Sequence, residues 1–216
     1  MIHIKMKQED KILLFTKELN RINKITRYDP IDPLMKECVV FLNLLNIPTV
    51  ASRGMYINKT ILTYPYILGY ASSRPKNIFL KDDNIQKKIA KKYHLLINGI
   101  EFNKKARKEY LKLVKKNNLK INPAYLKWLK ENKKLRKRVE NLLKEFYKTY
   151  MHSYSIPLVL LPQYARVSYI ISSPFNKLKD YVGQSFYTKK DLPLILACQK
   201  EFLYFKDFLR EKFFNL

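Results

Sequence analysis

Thr60-Ile-Leu-Thr-Tyr-Pro-Tyr-Ile-Leu-Gly-Tyr-Ala-Ser-Ser-Arg74 is an apolar run that meets a proline and gives way to small and polar residues ending in an arginine. Ile61, Tyr64, Tyr66 and Ile67 favour an extended backbone, and Pro65 removes a ladder donor. The stretch therefore predicts a strand at a sheet edge, or one projecting from the body as a basic and aromatic arm. Such an arm needs a partner.

Working outward, Thr49 to Ser52 reads as extended, Arg53-Gly54 as a turn, and Tyr56 to Tyr70 as the returning strand and arm. Upstream, Ile2 to Lys7 alternates apolar and basic residues at period two, a half-buried strand, and Glu9 to Ile25 has helical spacing. Asp32-Pro33 opens a further helix, because an aspartate followed by proline at the first helical position satisfies or removes orphan donors. That helix should end near Asn46, before Pro48. Downstream, Asn77 to Lys81 reads as a short strand, and Asp82-Asp-Asn84 should cap a helix with Ile85, Ile89 and Tyr93 on one face. Leu95 to Ile97 and Ile100 to Phe102 read as a closing strand pair about Asn98-Gly99. The order predicts an α+β fold, a ferredoxin-like β-α-β-β-α-β domain over residues 1–103 with a projecting hairpin.

From Asn103 the composition shifts. Residues 104–216 should form a mostly helical, basic extension, with Asn122-Pro123 opening a fresh helix and a last helix from about Asp191 to Phe214. Between these, Pro157, Pro162 and Pro174 lie among aromatic and β-branched residues, which argues for extended or irregular packing segments.

Charge bounds the function. Lys+Arg 43 against Asp+Glu 18 gives a net +25, a self-repulsion that calls for a polyanion, and nucleic acid is the default partner. An anionic membrane surface is the rival, but no run of ~18 apolar residues is present, so no membrane span is expected. Abundant Lys, Asn, Ile, Tyr and Phe with only 4 Gly are the residues of AT-rich codons, which points to an organellar or viral genome. The beginning of the sequence has neither a secretory nor a transit pattern, so no leader is expected there. Cys38 and Cys198 sit in apolar surroundings and read as buried reduced thiols.

The opening stretch resembles the family of the tenth small-subunit ribosomal protein, whose pattern runs Thr-Val-Leu-x-Ser-Pro-His-Val, two lysines, then Ser-Arg. Thr60, Ile61, Leu62, Pro65, Ile67, Ser73 and Arg74 fit it. Ile2 to Asp10, Leu34 to Ile47 and Asp82 to Phe102 are similar to that family's opening strand, first helix, and second helix with closing strand, in the right order. The resemblance implies a structural protein of the small-subunit head, packed among neighbouring head proteins, whose hairpin reaches along ribosomal RNA. With the AT-rich composition it implies a mitochondrial ribosome. Departures are plain: residues 11–30 look inserted, Thr63 stands where the family favours arginine, Tyr66 replaces a histidine, and Leu68 to Ala71 replace an asparagine and lysine pair. The stretch from Arg74 to Asp82 is shorter than the family's, and residues 104–216 have no counterpart.

The candidate RNA contacts are accordingly Arg53, Lys59, Tyr64, Pro65, Tyr66, Tyr70, Ser73, Arg74 and Lys76 in and around the arm. The run Lys133, Lys134, Arg136, Lys137 and Arg138 joins them as the densest basic cluster. No catalytic residue, metal, cofactor or small-molecule substrate is expected: His3, His94 and His152 are isolated, and no phosphate-cradling glycine loop, zinc spacing or nucleophile elbow is present. Two other readings stand beside the ribosomal one. They are a viral or mobile-element protein that binds nucleic acid or inhibits a host complex, and an RNA-modifying or RNA-cleaving enzyme built on Asp82 and Asp83.

Overall fold

The computed structural model describes residues 6–25, 33–54, 56–57, 62–72, 74–100, 103–150, 156–161, 169–175 and 189–215. Over these the chain is mixed α and β and mostly helical, with six α-helices and a four-stranded antiparallel sheet. It divides into two compact units, Met1–Ala71 with Lys133–Leu216, and Ser72–Asn132. The expected boundary at 103/104 falls inside the second unit.

In the first unit, α1 (Gln8–Ile25) and α2 (Pro33–Leu44) form as the periodicity predicts, with Pro33 at the first helical position. Asn46 ends α2 in the left-handed region at φ 56°. The Ile47 N–H bonds the Leu42 carbonyl at 2.8 Å and the Asn46 N–H bonds that of Asn43 at 2.9 Å, while Ile47 and Leu42 share the core. That is a Schellman closure with asparagine in the glycine position. The sheet strands are β1 (Ala51–Arg53), β4 (Tyr66–Gly69), β5 (Val159–Leu160) and β6 (Tyr169–Ser172), in the order β1-β4-β6-β5. A separate hairpin pairs β2 (Tyr56–Ile57) with β3 (Leu62–Thr63).

One sheet face, with Ile67, Tyr169 and Ile171, joins the main core, to which Cys38 and Phe41 of α2, Val139 and Phe146 of α5 (Pro123–Thr149), and Phe202 and Phe205 of α6 (Leu192–Asn215) contribute. The opposite face holds Leu68, Ile170 and Leu161, with Tyr66 against them. Period two along β4 thus sorts its side chains between two apolar clusters. At Gly69 no other residue fits: a Cβ there would lie 2.1 Å from the Pro48 carbonyl oxygen and 2.8 Å from the Tyr169 ring. The Tyr169 hydroxyl donates to that same carbonyl at 3.0 Å.

Three expectations are corrected. The strand after Pro65 is neither an edge nor a projection, because β4 lies between β1 and β6. Pro65 precedes the first paired residue, Tyr66, so the ladder asks no N–H of it, and its carbonyl accepts from the Ser172 hydroxyl at 2.7 Å. The segment 95–97 is not a closing strand, since Ile97–Gly99 curls into a single 3-10 turn. The sheet is not the β-α-β-β-α-β order of residues 1–103, because β4 pairs on its other side with β6, and β6 with β5, strands drawn from residues 159–172. The predicted strands at 2–7 and 100–102 lie, in whole or in large part, outside the described residues.

In the second unit, a bridge between Phe79 and Ile121 ties entrance to exit, with the Leu80 N–H on the Lys120 carbonyl and the Asn122 N–H on that of Ile78, both at 2.9 Å. Between them lie α3 (Asp83–Lys92) and α4 (Lys104–Lys116), packed through Ile89, Ala90, Ala106, Tyr110 and Val114. Asn103 caps α4, its side chain accepting from the Ala106 N–H at 3.0 Å, and Asn122 accepts from the Ala124 N–H at 3.0 Å where Pro123 opens α5.

Candidate nucleic-acid interface

The predicted contact residues scatter. The Tyr64 side chain is 1% exposed in the main core and Pro65 is buried, so neither can stack on a base. Tyr66 and Tyr70 are half-buried, Tyr66 against the second apolar cluster. Lys59, Ser73 and the side chain of Arg53 lie outside the described residues, as do residues 58–61 as a whole. Arg74 is half-buried and spent on packing. Its guanidinium sits 5.4 Å from the Tyr125 ring centre and 5.7 Å from that of Trp128, rings that stack on each other 5.5 Å apart. Trp128 in turn donates its indole N–H to the Ser72 carbonyl at 2.9 Å. Lys76 is exposed and lies 3.5 Å from the Asp83 carboxylate.

The basic cluster on α5 splits by residue. Arg136 donates to the Leu161 carbonyl at 3.0 Å, and Arg138 to the Leu45 and Asn46 carbonyls at 2.9 and 3.2 Å, where the carbonyls past the end of α2 lack intrahelical N–H donors. These arginines hold the first unit together. Lys133 and Lys134 are exposed, and Lys137 pairs with Glu140 at 3.1 Å.

Charge concentrates elsewhere. Ser72–Asn132 carries 17 Lys and Arg against 5 Asp and Glu, a net +12 of the chain's +25 on 61 of its 216 residues. The core residues of α4 recur at Ala106, Tyr110 and Val114, which turns Lys104, Lys108, Lys112 and Lys115 outward. On α3, burial of Gln86, Ile89 and Ala90 leaves Lys87, Lys88, Lys91 and Lys92 exposed. Ion pairs within the unit among the described residues are Lys76 with Asp83, Lys92 with Glu109, and Lys127 with Glu131. The Glu109 carboxyl is held below its ordinary range by hydrogen bonds from Lys92 and then Tyr93, and Lys92 is raised in return. The remaining ammonium groups of α3 and α4 face solvent.

That face works against its own helix. The first turn of α4 contains Lys104, Lys105 and Arg107 and no acid, at the end where the backbone dipole is positive. Lys104, Lys108, Lys112 and Lys116 follow at four-residue intervals, each like-charged pair costing ~0.2–0.5 kcal/mol.

Asp82 occupies the position before α3 yet does not cap it. Its carboxylate is fully buried and accepts from the Tyr110 hydroxyl and, at 3.3 Å, from the Phe79 N–H. It ties α4 to the bridge segment. Asp83 is exposed and accepts from Asn77 at 2.9 Å.

Neither the arm nor the α5 cluster, where sequence reasoning placed the contacts, is the densest array of outward charge. What the sequence did not show was the boundary of the unit that gathers the α3 and α4 lysines. Among the described residues no helix is long and apolar enough to cross a membrane. Comparison with protein-family models, with curated proteins and with solved structures finds no match to this chain.

Proposed function

We propose that the chain is a non-enzymatic RNA-binding protein, a structural constituent of the small ribosomal subunit, held to ribosomal RNA by the lysine-rich helices of Ser72–Asn132. The observation that carries the RNA-binding reading is the net +12 on that one compact unit, arranged on helix faces opposite a buried core. Neutralising phosphates and releasing their counterions is what such a face does best. The ribosomal part of the proposal, with its mitochondrial setting and head-protein neighbours, rests on the sequence resemblance of residues 2–102. It does not rest on the ferredoxin-like topology.

The test is sedimentation of the tagged protein from its native source. Co-migration of nearly all of it with small subunits, and release at high salt, is the expected result. A second reading, a viral or mobile-element nucleic-acid-binding protein, draws on the packing of Tyr64 and β4 into the first unit, where the family resemblance called for a free finger. It predicts a pool that sediments apart from subunits while still binding nucleic acid.

A further inference from the structure

The chemistry of the Ser72–Asn132 surface also selects a form of nucleic acid. We infer that the α3 and α4 faces bind base-paired nucleic acid along its phosphodiester backbones, without reading sequence. This rests on the nucleic-acid reading above and narrows it.

The first ground is the fate of the aromatic rings. Single-strand binders place bases on exposed aromatic faces, each worth ~1–3 kcal/mol. Among the described Phe, Tyr and Trp rings of this unit, Tyr110 and Trp128 are buried and Phe79, Tyr93 and Tyr125 are half-buried, so none stands exposed. Tyr110 serves Asp82, Tyr93 donates to Glu109 at 2.8 Å, and Tyr125 and Trp128 stack together under Arg74. Among the described residues, His94 is the exposed ring that remains.

The second ground is the kind of cation. Of the 17 basic residues in the unit only Arg74 and Arg107 are arginines. Arg74 is committed to Tyr125 and Trp128. Lysine is a point charge that meets phosphate without the planar fork that reads guanine edges. Spacing is the third ground. Lys104, Lys108 and Lys112 stand one helical turn apart, ~6 Å, on a helix held by its own core. A rigid array of this kind suits a rigid polyanion, and a duplex offers one charge per ~1.7 Å of its axis. A single strand would have to be ordered to match it, at an entropic cost that stacking does not offset here.

An anionic membrane would need an apolar face beside the lysines. The apolar face of α4 is already buried in the unit, and Leu111 alone stands exposed on that helix.

The experiment is fluorescence anisotropy of the full-length protein with an RNA duplex of about 20 base pairs, a DNA duplex of equal length, and unstructured single-stranded RNA, over a salt series. Both duplexes should bind at least about tenfold more tightly than the single strand, with little change on swapping duplex sequence. The variant Lys88→Gln/Lys104→Gln/Lys108→Gln/Lys112→Gln should lose on the order of 100-fold in duplex affinity at near-physiological salt, and the log-log salt slope should fall by about 3 to 4. The control Lys133→Gln/Lys134→Gln/Lys137→Gln on α5 should change affinity by less than about threefold. Circular dichroism checks that both variants fold, and all seven side chains are exposed. Equal or tighter single-strand binding overturns the inference and leaves the RNA-binding reading in place. A quadruple variant that binds duplex as the parent does removes the surface from the inference. A parent protein that ignores all three nucleic acids, or binds only phosphatidylserine vesicles, overturns both.

Discussion

Among the described residues, four hold positive φ without being glycine, and three of them close helices. Asn46 ends α2, His94 ends α3 and Asn118 ends α4, each followed by an apolar residue whose N–H reaches back to the last turn: Ile47 to Leu42, Leu95 to Ala90, Leu119 to Val114. A chain with 4 glycines closes its helices with side chains that pay for the left-handed region. His94→Gly should therefore raise unfolding free energy by about 1 kcal/mol in urea titration, and Asn118→Gly by less, since asparagine tolerates the region better. Gly69→Ala should lower it by about 3 kcal/mol, because the new methyl has the Pro48 carbonyl in its place. Cys38 and Cys198 are fully buried, and burial pushes both thiols up, Cys198 to about 12. Neither should react with a thiol reagent at pH 8 until the protein unfolds, and labelling of the native protein within minutes would contradict this burial. The end of α2 at Asn46 was legible because Pro48 follows it. The fate of Tyr64 was not, since a tyrosine beside a proline reads the same whether it stacks on a base or fills a core.

At the scale of elements, helices were the readable part. α1, α2, α3 and α6 lie within a residue or two of their periodicity, and Asn122-Pro123 opens α5 as capping chemistry requires. The sheet was not readable, for two reasons. Ser172 reaches Pro65 across 107 residues of chain, so the pairing leaves no local trace. All four residues of β6 are buried, so it shows no alternation, and β5 has only two residues. Asp82 was read as a cap from its position, but its buried carboxylate serves Tyr110 and Phe79. Tyr110→Phe, which keeps the ring and removes the donor, should cost about 1–3 kcal/mol by denaturant titration. The like-charged turns of α4 give the opposite sign of effect. Raising salt from about 20 to 300 mM should raise the melting temperature, since screening relieves Lys104, Lys108, Lys112 and Lys116 of one another.

Over the whole molecule the excess of 43 basic over 18 acidic side chains sets the behaviour. Glu18, Glu109 and Glu140 are each held below the ordinary carboxylate range, chiefly by hydrogen bonds from Arg21, Lys92 and Lys144. A depressed carboxyl adds stability above its unfolded value and loses it as pH falls through the folded one. Glu109 and Glu140 are open to solvent screening and contribute little by themselves, while Glu18 is more covered. Protonating all the acids, however, leaves the basic charge unopposed, so stability should fall steeply below about pH 4 and recover in part with added polyanion. The charge was legible in the composition, and its gathering into Ser72–Asn132 was not, because that unit ignores the composition shift at Asn103. The most direct measurement is ultraviolet crosslinking of the protein in its native particle, followed by mass spectrometric mapping of nucleotide-bearing peptides. Adducts to small-subunit ribosomal RNA on peptides from Asp83 to Lys116 are the predicted result, and a particle whose RNA adducts avoid that segment, or that holds no RNA, would contradict it.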